Sequence, residues 1–120
     1  MGSRTTERFG RTAERLAAFW LRLKGYRVLA RRLRNRFGEI DLVCLRRRYL
    51  VFVEVKGRRT TELALYSLGP QQQRRIAAAA RWYLKEQPQL AELECRFDLV
   101  TIDRFGLPRH VPDVWRPTGY

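Results

Sequence analysis

The fold of this chain is decided by residues 38–56, which read GEIDLVCLRRRYLVFVEVK. Two segments rich in Val, Leu, Ile and Phe flank the three consecutive arginines at 46–48. Short apolar segments of this kind, separated by a polar turn, are typical of a β-hairpin. The sequence therefore predicts strands at 39–45 and 49–56, joined by an arginine-rich turn.

The length of that turn decides which side chains of the hairpin meet. A turn of two or of four residues places Asp41 directly opposite Glu54, whereas a turn of three residues breaks this alignment. Because side chains two apart share a face of a strand, Glu39 and Lys56 then lie opposite each other on the same face. Opposed residues have Cβ atoms about 5 Å apart. Two carboxylates at that distance repel by about 3 kcal/mol at an effective dielectric constant of about 20, so this pair calls for a compensating cation.

Two interpretations of this carboxylate pair are open. In the first, Asp41 and Glu54 hold Mg²⁺ or Mn²⁺, which prefer carboxylate oxygens, water and substrate phosphate as ligands. Lys56 then orients or deprotonates the attacking water, or offsets charge on the phosphate. In the second, Glu54 and Lys56 belong to an exposed sheet face with cross-strand ion pairs, such as Glu39 with Lys56. An acidic pocket in a cationic surface favours the first, because a phosphodiesterase needs both.

Two helices are predicted on either side of the hairpin. The first covers residues 5–24, with Gly25 at the position of a C-terminal cap. Its stripe of apolar residues is predicted to face the core and consists of Phe9, Ala13, Leu16, Ala17, Trp20 and Leu23. The second begins at Pro70 and ends before Pro88. Its buried stripe is predicted to consist of Ile76, Ala79, Ala80 and Tyr83.

Two further strands complete the predicted order α-β-β-β-α-β. They cover residues 26–34 and 95–103, and the last strand follows a helical crossover, which makes it parallel to a neighbour. The fold class is therefore α/β, with a mixed sheet on which the helices pack. Residues 57–69 are predicted to form a loop or an irregular helical turn. Residues 104–120 contain three prolines and are predicted to be an irregular tail or edge structure.

The charge of the chain indicates a polyanionic partner. Its 120 residues include 25 Lys plus Arg against 12 Asp plus Glu, which gives a net charge of +13, and 22 of the basic residues are arginine. The planar guanidinium matches pairs of phosphate oxygens. Because the arginines recur along the whole chain, nucleic acid is the expected partner, with DNA favoured; an acidic protein partner is a weaker alternative.

Several classes of protein are excluded by the sequence. The apolar runs are far shorter than the roughly 20 residues that cross a bilayer, and the first residues lack the apolar core of a signal peptide. We therefore expect one cytoplasmic domain over residues 1–120, with its core at about 5–103. Cys44 and Cys95 lie far apart without further zinc ligands nearby, which favours two buried thiols. His110 is expected to be a surface or tail-packing residue.

Two polar residues on the helices are further candidates. Glu14 lies beside the buried stripe of the first helix, where it is either a further metal or water ligand or a boundary residue paired with Arg11 or Arg15. Gln72 lies on the inward side of the second helix, near an N-terminus that attracts phosphate. It is either a substrate contact or an ordinary residue of the first turn.

Five motifs of the chain together resemble the YraN family of small bacterial proteins. They read GRTAE at 10–14, GEIDLV at 38–43, VFVEVKGR at 51–58, QQRRI at 72–76 and RFDLV at 96–100. That family is similar to archaeal Holliday-junction resolvases and resembles the restriction-endonuclease-like superfamily, which has a PD-(D/E)xK metal site. Ile40 stands where the superfamily has proline. Arg32 and Gln72 stand where many relatives have asparagine and lysine.

The resemblance implies a restriction-endonuclease-like fold and a set of site residues. Asp41, Glu54 and Lys56 take the catalytic acid, acid and lysine places, and Glu14 joins the two acids as a metal ligand. The substrate-binding residues expected with them are Gln72, Arg58, Arg74, Arg75 and Arg36. The expected function is that of a Mg²⁺- or Mn²⁺-dependent DNA endonuclease, with a preference for branched DNA left open. The alternative is a non-catalytic nucleic-acid-binding module, and a homodimer is also left open because resolvases act as symmetric dimers.

Overall fold

The computed structural model describes residues 3–57 and 67–117, and the side chains among them from residue 10 onward. The elements are helix α1 (Ser3–Leu23), strands β1 (Arg27–Asn35), β2 (Gly38–Arg46) and β3 (Tyr49–Lys56), helix α2 (Pro70–Glu86), a short 3₁₀ helix (Pro88–Leu90), and strands β4 (Glu94–Ile102) and β5 (Pro108–Trp115). The five strands form one sheet in the order β1-β2-β3-β4-β5. Only the β3–β4 pair is parallel, so the predicted mixed sheet and helical crossover are confirmed.

The two helices cover opposite faces of the sheet. Leu50 and Phe52 of β3 pack with α2, whereas Val51 and Val53 pack with α1. This explains why β3 is apolar at consecutive positions, since a strand buried on both faces has no polar side. The predicted stripe of α2 is buried as expected, at Ile76, Ala79, Ala80 and Tyr83.

The buried face of α1 is only partly the one predicted. Ala13 and Ala17 face the sheet as expected, but the stripe continues through the buried Ala18 and Leu21. The larger side chains of the predicted stripe, Leu16, Trp20 and Leu23, are exposed. Alanine lets the helix backbone approach the sheet closely, so the small side chains, and not the large ones, determine how α1 is rotated.

The β2–β3 hairpin has the two-residue turn that the sequence left open. Its register runs from Arg46 opposite Tyr49 to Leu42 opposite Val53. The first turn residue, Arg47, has φ +54°, which L-residues seldom adopt. A first turn position of this kind favours glycine in two-residue hairpins.

Replacing Arg47 with glycine is expected to raise the free energy of unfolding. Left-handed backbone costs an L-residue about 1–2 kcal/mol, and the greater freedom of glycine in the unfolded chain offsets up to about 1 kcal/mol of the gain. Urea unfolding should therefore show a net stabilisation of about 0.5–1 kcal/mol. Arg48→Gly is the matched control. Because Arg48 is not at positive φ, this variant should lower the free energy of unfolding. A loss in both variants would contradict this account of the turn.

Residues after 103 do not form an irregular tail throughout, because Pro108–Trp115 is the edge strand β5. Proline lacks the N–H that a central strand must donate, but an edge strand has one unpaired side, so Pro108 and Pro112 are accommodated there. β5 runs antiparallel to β4, with a register irregularity opposite Phe97 and Leu99. Residues 58–66, within the predicted loop at 57–69, lie outside the described residues.

A buried ionic network ties β5 to β4. Asp98 is fully buried and accepts two hydrogen bonds from the guanidinium of Arg96 (2.9 and 2.8 Å) and one from the N–H of Asp113 (3.0 Å). His110 Nε2 lies 2.7 Å from Asp98 Oδ2, and Lys24 Nζ lies 2.7 Å from His110 Nδ1. Burial alone would raise the pKa of Asp98, but the hydrogen bonds from His110, Arg96 and Asp113 hold it below its ordinary value. His110 is therefore a packing residue of β5.

Both cysteines are free thiols. Cys44 is buried between α1 and the sheet, and burial raises its pKa to about 12. Cys95 is only half-buried. The prediction of two buried thiols is thus confirmed for Cys44 alone.

Candidate functional site

The two acidic residues of the hairpin meet where the pairing of β2 and β3 ends. The backbone pairing of the two strands ends with Leu42 opposite Val53. Beyond this point, backbone N–H groups contact carboxylate side chains instead of carbonyl groups. The N–H of Val55 donates to Asp41 Oδ2 (2.7 Å), and the N–H of Asp41 lies 3.4 Å from Glu54 Oε2. Each carboxylate therefore uses one oxygen to join the two strands. The structure brings Asp41 and Glu54 together as the register implied.

Burial makes this pair energetically unfavourable in its fully charged form. Glu54 is only 5% exposed. Burial, followed by the charge of Asp41, raises the pKa of Glu54 well above its ordinary value. Burial also raises the pKa of Asp41, although the hydrogen bond from Val55 and the charge of Lys56 oppose the shift. A cation at this point would relieve the repulsion that the sequence predicted.

Among the described residues, the ion pair between Glu39 and Lys56 that the second interpretation contained is not formed. Glu39 lies directly opposite Arg34 of β1 and contacts its Nε at 3.4 Å, with Arg32 Nε at 3.8 Å. The physical reason is that the β2–β3 ladder stops at Leu42 and Val53, so no register holds Glu39 and Lys56 together. Strand β1, which pairs with β2 as far as Gly38, supplies its partners instead.

Lys56 is held from α2. When the amide of Gln72 is oriented so that its nitrogen donates to the carbonyl of Ser67 (3.0 Å), its oxygen accepts a hydrogen bond from Lys56 Nζ (3.3 Å). This orientation satisfies both ends of the amide. Gln72 therefore positions Lys56, a contact that the sequence did not indicate.

Glu14 faces Asp41, one member of the carboxylate pair, from α1. It is 8% exposed, and burial, followed by the charge of Asp41, raises its pKa, whereas Arg32 lowers it. Glu14 Oε2 lies 3.9 Å from Arg32 Nε. A pocket of about 140 Å³ connects these groups and is lined by Gly10, Arg11, Glu14, Arg32, Glu39, Asp41 and Val55. This volume is large enough to hold water beside the carboxylates.

The carboxylates suit a metal ion that is shared with substrate. Within residues 3–57 and 67–117, no three His, Cys, Asp or Glu side chains are arranged to hold an ion by themselves. In the same part of the chain, Asp41 Oδ1 and Glu54 Oε1 have no hydrogen-bond partner. Mg²⁺ is commonly bound by one or two carboxylates together with waters and substrate phosphates. The donors present therefore fit Mg²⁺ or Mn²⁺ bound in that way, but not an all-protein cage.

The described arginines that were expected to bind substrate do not line this pocket. Arg36 stacks on Phe37 at the β1–β2 turn, and Arg75 packs against Gly38. Arg74 lines a separate cavity of about 450 Å³ between α2 and the end of β5. Arg58 lies outside the described residues.

Two basic residues that the sequence did not single out for binding line the pocket instead. Arg11 and Arg32 contribute to its wall beside Glu14. Arg11 had a weak signal, its spacing of three residues from Glu14 on a helix. The signal for Arg32 was only that it stands where many YraN relatives have asparagine. In the structure Arg32 has φ +53°, a backbone conformation in which asparagine is several-fold enriched.

Comparison with known proteins places the chain among bacterial relatives of similar length. A UPF0102 protein of Paramagnetospirillum magneticum is 48% identical over 114 residues, covering 92% of this chain and 88% of the relative. Relatives from Parvibaculum lavamentivorans (52% over 110 residues; 92% and 83%) and Rhodopseudomonas palustris (50% over 105 residues; 88% and 78%) are equally similar. In the described part of the chain, no helix is long and apolar enough to cross a membrane.

The family model of the uncharacterised protein family UPF0102 matches residues 13–102. This range contains the carboxylate pair, Lys56, Glu14 and Gln72. The match agrees with the YraN-like motifs of the sequence. The chain belongs to the uncharacterised protein family UPF0102.

Proposed function

We propose that this protein is a divalent-metal-dependent phosphodiesterase of the restriction-endonuclease-like type that cleaves DNA. The observation that carries the proposal is the junction of β2 and β3, where Asp41 and Glu54 meet and each has one oxygen without a hydrogen bond from a described residue. Lys56 follows Glu54 on the same strand, held by Gln72. Two acids and a lysine beside a strongly basic surface are what hydrolysis of a phosphodiester requires.

Each residue of the proposed site has a separate role. Asp41 and Glu54 would hold Mg²⁺ or Mn²⁺, and Glu14, which lines the same pocket as Asp41, would bind the ion or one of its waters. The bound ion supplies Lewis-acid stabilisation of charge on the phosphate. The ammonium group of Lys56 would orient the attacking water and offset developing negative charge, and Gln72 keeps that group aimed at the site. The net charge of +13 attracts the nucleic-acid backbone toward these groups.

A second candidate function is a nucleic-acid-binding module that retains this fold without catalysis. One observation favours it, the lack of a three-residue metal cluster in the described part of the chain. The complete set of Asp41, Glu54 and Lys56 favours the nuclease, because a site that has lost catalysis need not keep all three. We place either function in the cytoplasm, where the free thiols are stable.

Calorimetric titration of Mn²⁺ and Mg²⁺ tests the proposal. We expect the protein bound to DNA to take up metal more tightly than the free protein, since phosphate oxygens complete the ligand set. Incubation with labelled linear, single-stranded and four-way DNA should then give metal-dependent cleavage. Sedimentation of the same samples reports whether a dimer forms. Tight, salt-sensitive DNA binding without metal uptake or cleavage would contradict the nuclease and support the binding module.

A further inference from the structure

A basic cleft between α1 and β1 continues from the carboxylate pocket. It has a volume of about 430 Å³, and its lining consists of Arg11, Glu14, Arg15, Arg31 and Arg32. Arg11, Glu14 and Arg32 also line the pocket of Asp41. Because three residues are shared, the cleft and the pocket form one depression in the surface. Of the described residues that the sequence predicted to bind substrate, Gln72, Arg74, Arg75 and Arg36, none lies in it.

The charge changes sign along this depression. At the pocket end, Glu14, Glu39 and Asp41 face each other. The cleft end contains four guanidinium groups and one carboxylate. Arg11, Arg15 and Arg31 are exposed, and none of the three forms an ion pair with a described residue. Like charges held this close repel each other, so the cleft is suited to an anion.

Arg32 stands at the junction and is held in a strained backbone conformation. Its φ of +53° costs an L-residue about 1–2 kcal/mol. Strain of this kind is concentrated at functional sites. The contacts of Arg32 Nε with Glu14 (3.9 Å) and Glu39 (3.8 Å) are longer than hydrogen bonds. Among the described residues, no hydrogen bond occupies its guanidinium donors, so they can serve a further acceptor.

We propose that this cleft binds the phosphodiester backbone of the DNA strand that enters the carboxylate pocket. The proposal rests on the function proposed above and adds to it the path of the substrate. Arg11 and Arg15 are one helical turn apart, and Arg22 continues their face of α1. At 1.5 Å per residue, Arg11 to Arg22 spans about 16 Å, about five base steps at 3.4 Å each. The strand thus runs along α1, away from Asp41.

The test compares two double variants that remove the same charge. Arg15→Gln/Arg31→Gln neutralises the cleft outside the carboxylate pocket. Arg47→Gln/Arg48→Gln neutralises the β2–β3 turn, at the opposite end of those strands from Asp41. Both change exposed side chains, and thermal unfolding monitors their folding. Binding of a short labelled DNA duplex, and of its single strand, is measured by fluorescence anisotropy in EDTA at several salt concentrations, so that cleavage does not interfere.

We expect the cleft variant to bind DNA at least about tenfold more weakly and to lower the slope of log K against log salt by about two. The DNA affinity of the turn variant should fall by less than about threefold. Equal losses of DNA affinity in both variants would overturn the proposal that the cleft binds DNA, because binding would then depend on net charge alone. Cleavage by the wild type in Mg²⁺ is scored separately. If the cleft variant loses more DNA affinity than the turn variant but the wild type does not cleave DNA, the result supports DNA binding by the cleft and contradicts the nuclease. If the wild type cleaves DNA but both variants lose affinity equally, the result supports the nuclease and contradicts DNA binding by the cleft.

Discussion

Asp41→Asn is expected to abolish metal-dependent DNA cleavage while leaving DNA binding unchanged or stronger. The amide keeps the size of the side chain and can still accept the hydrogen bond from the N–H of Val55. It removes the negative charge that, in the proposed site, would hold Mg²⁺ beside Glu54. Charge stabilisation by a metal amounts to several kcal/mol, so the cleavage rate should fall by about a thousandfold or more. DNA binding gains from the loss of one carboxylate near the phosphate.

The same loss is expected for Glu54→Gln, and Glu92→Gln is the matched control. Glu92 is exposed, and its replacement removes one negative charge without touching the site. Calorimetry should show metal uptake by the wild type and the control but not by the two site variants. Unfolding in urea confirms that the site variants are folded. Equal cleavage by the wild type and both site variants would contradict the assignment of the acids.

Asp98→Ala is expected to destabilise the protein by about 3–5 kcal/mol, a large part of the stability of a domain. The variant leaves the guanidinium of Arg96, whose side chain is only 17% exposed, without its carboxylate. It also removes the acceptor for the N–H of Asp113. Asp113→Asn is the control, because its ion pair with Arg116 is at the surface; it should lose less than about 1 kcal/mol. Urea unfolding at neutral pH compares the two.

The effect of Asp98→Ala should depend on pH in a defined direction. The pKa of Asp98 is lowered in the folded protein, so the carboxylate stabilises the fold above its ordinary pKa of 3.8. That stabilisation is lost as the pH falls through the lower, folded value. The difference in the free energy of unfolding between wild type and variant should therefore be largest at neutral pH and should shrink below a pH of about 4. A difference that stays constant over this range would show that Asp98 acts by packing alone.

Local signals predicted most of the fold. Pro70 and Pro88 mark the bounds of α2, and the arginine turn between two apolar segments indicates the β2–β3 hairpin. Strand β5 was left open, because Pro108 and Pro112 are typical of irregular structure and fit a strand only at the edge of a sheet. The rotation of α1 was misjudged for a similar reason, since hydrophobicity alone does not show that alanines, and not Leu16, approach the sheet.

Within the candidate site, the sequence predicted what depends on strand register. Asp41 and Glu54 meet because the turn has two residues. The partner of Lys56 was not predictable, since Gln72 reaches it from α2, across the end of the sheet. The cleft arginines were missed because spacing does not reveal which flank of α1 faces β1. Arg31 and Arg15 are distant in sequence and become neighbours only when the helix packs.

The arginines of β1 also govern how the protein behaves at high concentration. β1 is an edge of the sheet, and an edge strand offers unpaired N–H and C=O groups to any other sheet. Arg27, Arg31 and Arg34 are exposed along it, so two such edges repel before they can pair. At an ionic strength of 1 M this repulsion reaches only about 3 Å. High salt therefore favours aggregation through β1 under the same conditions that would release bound nucleic acid.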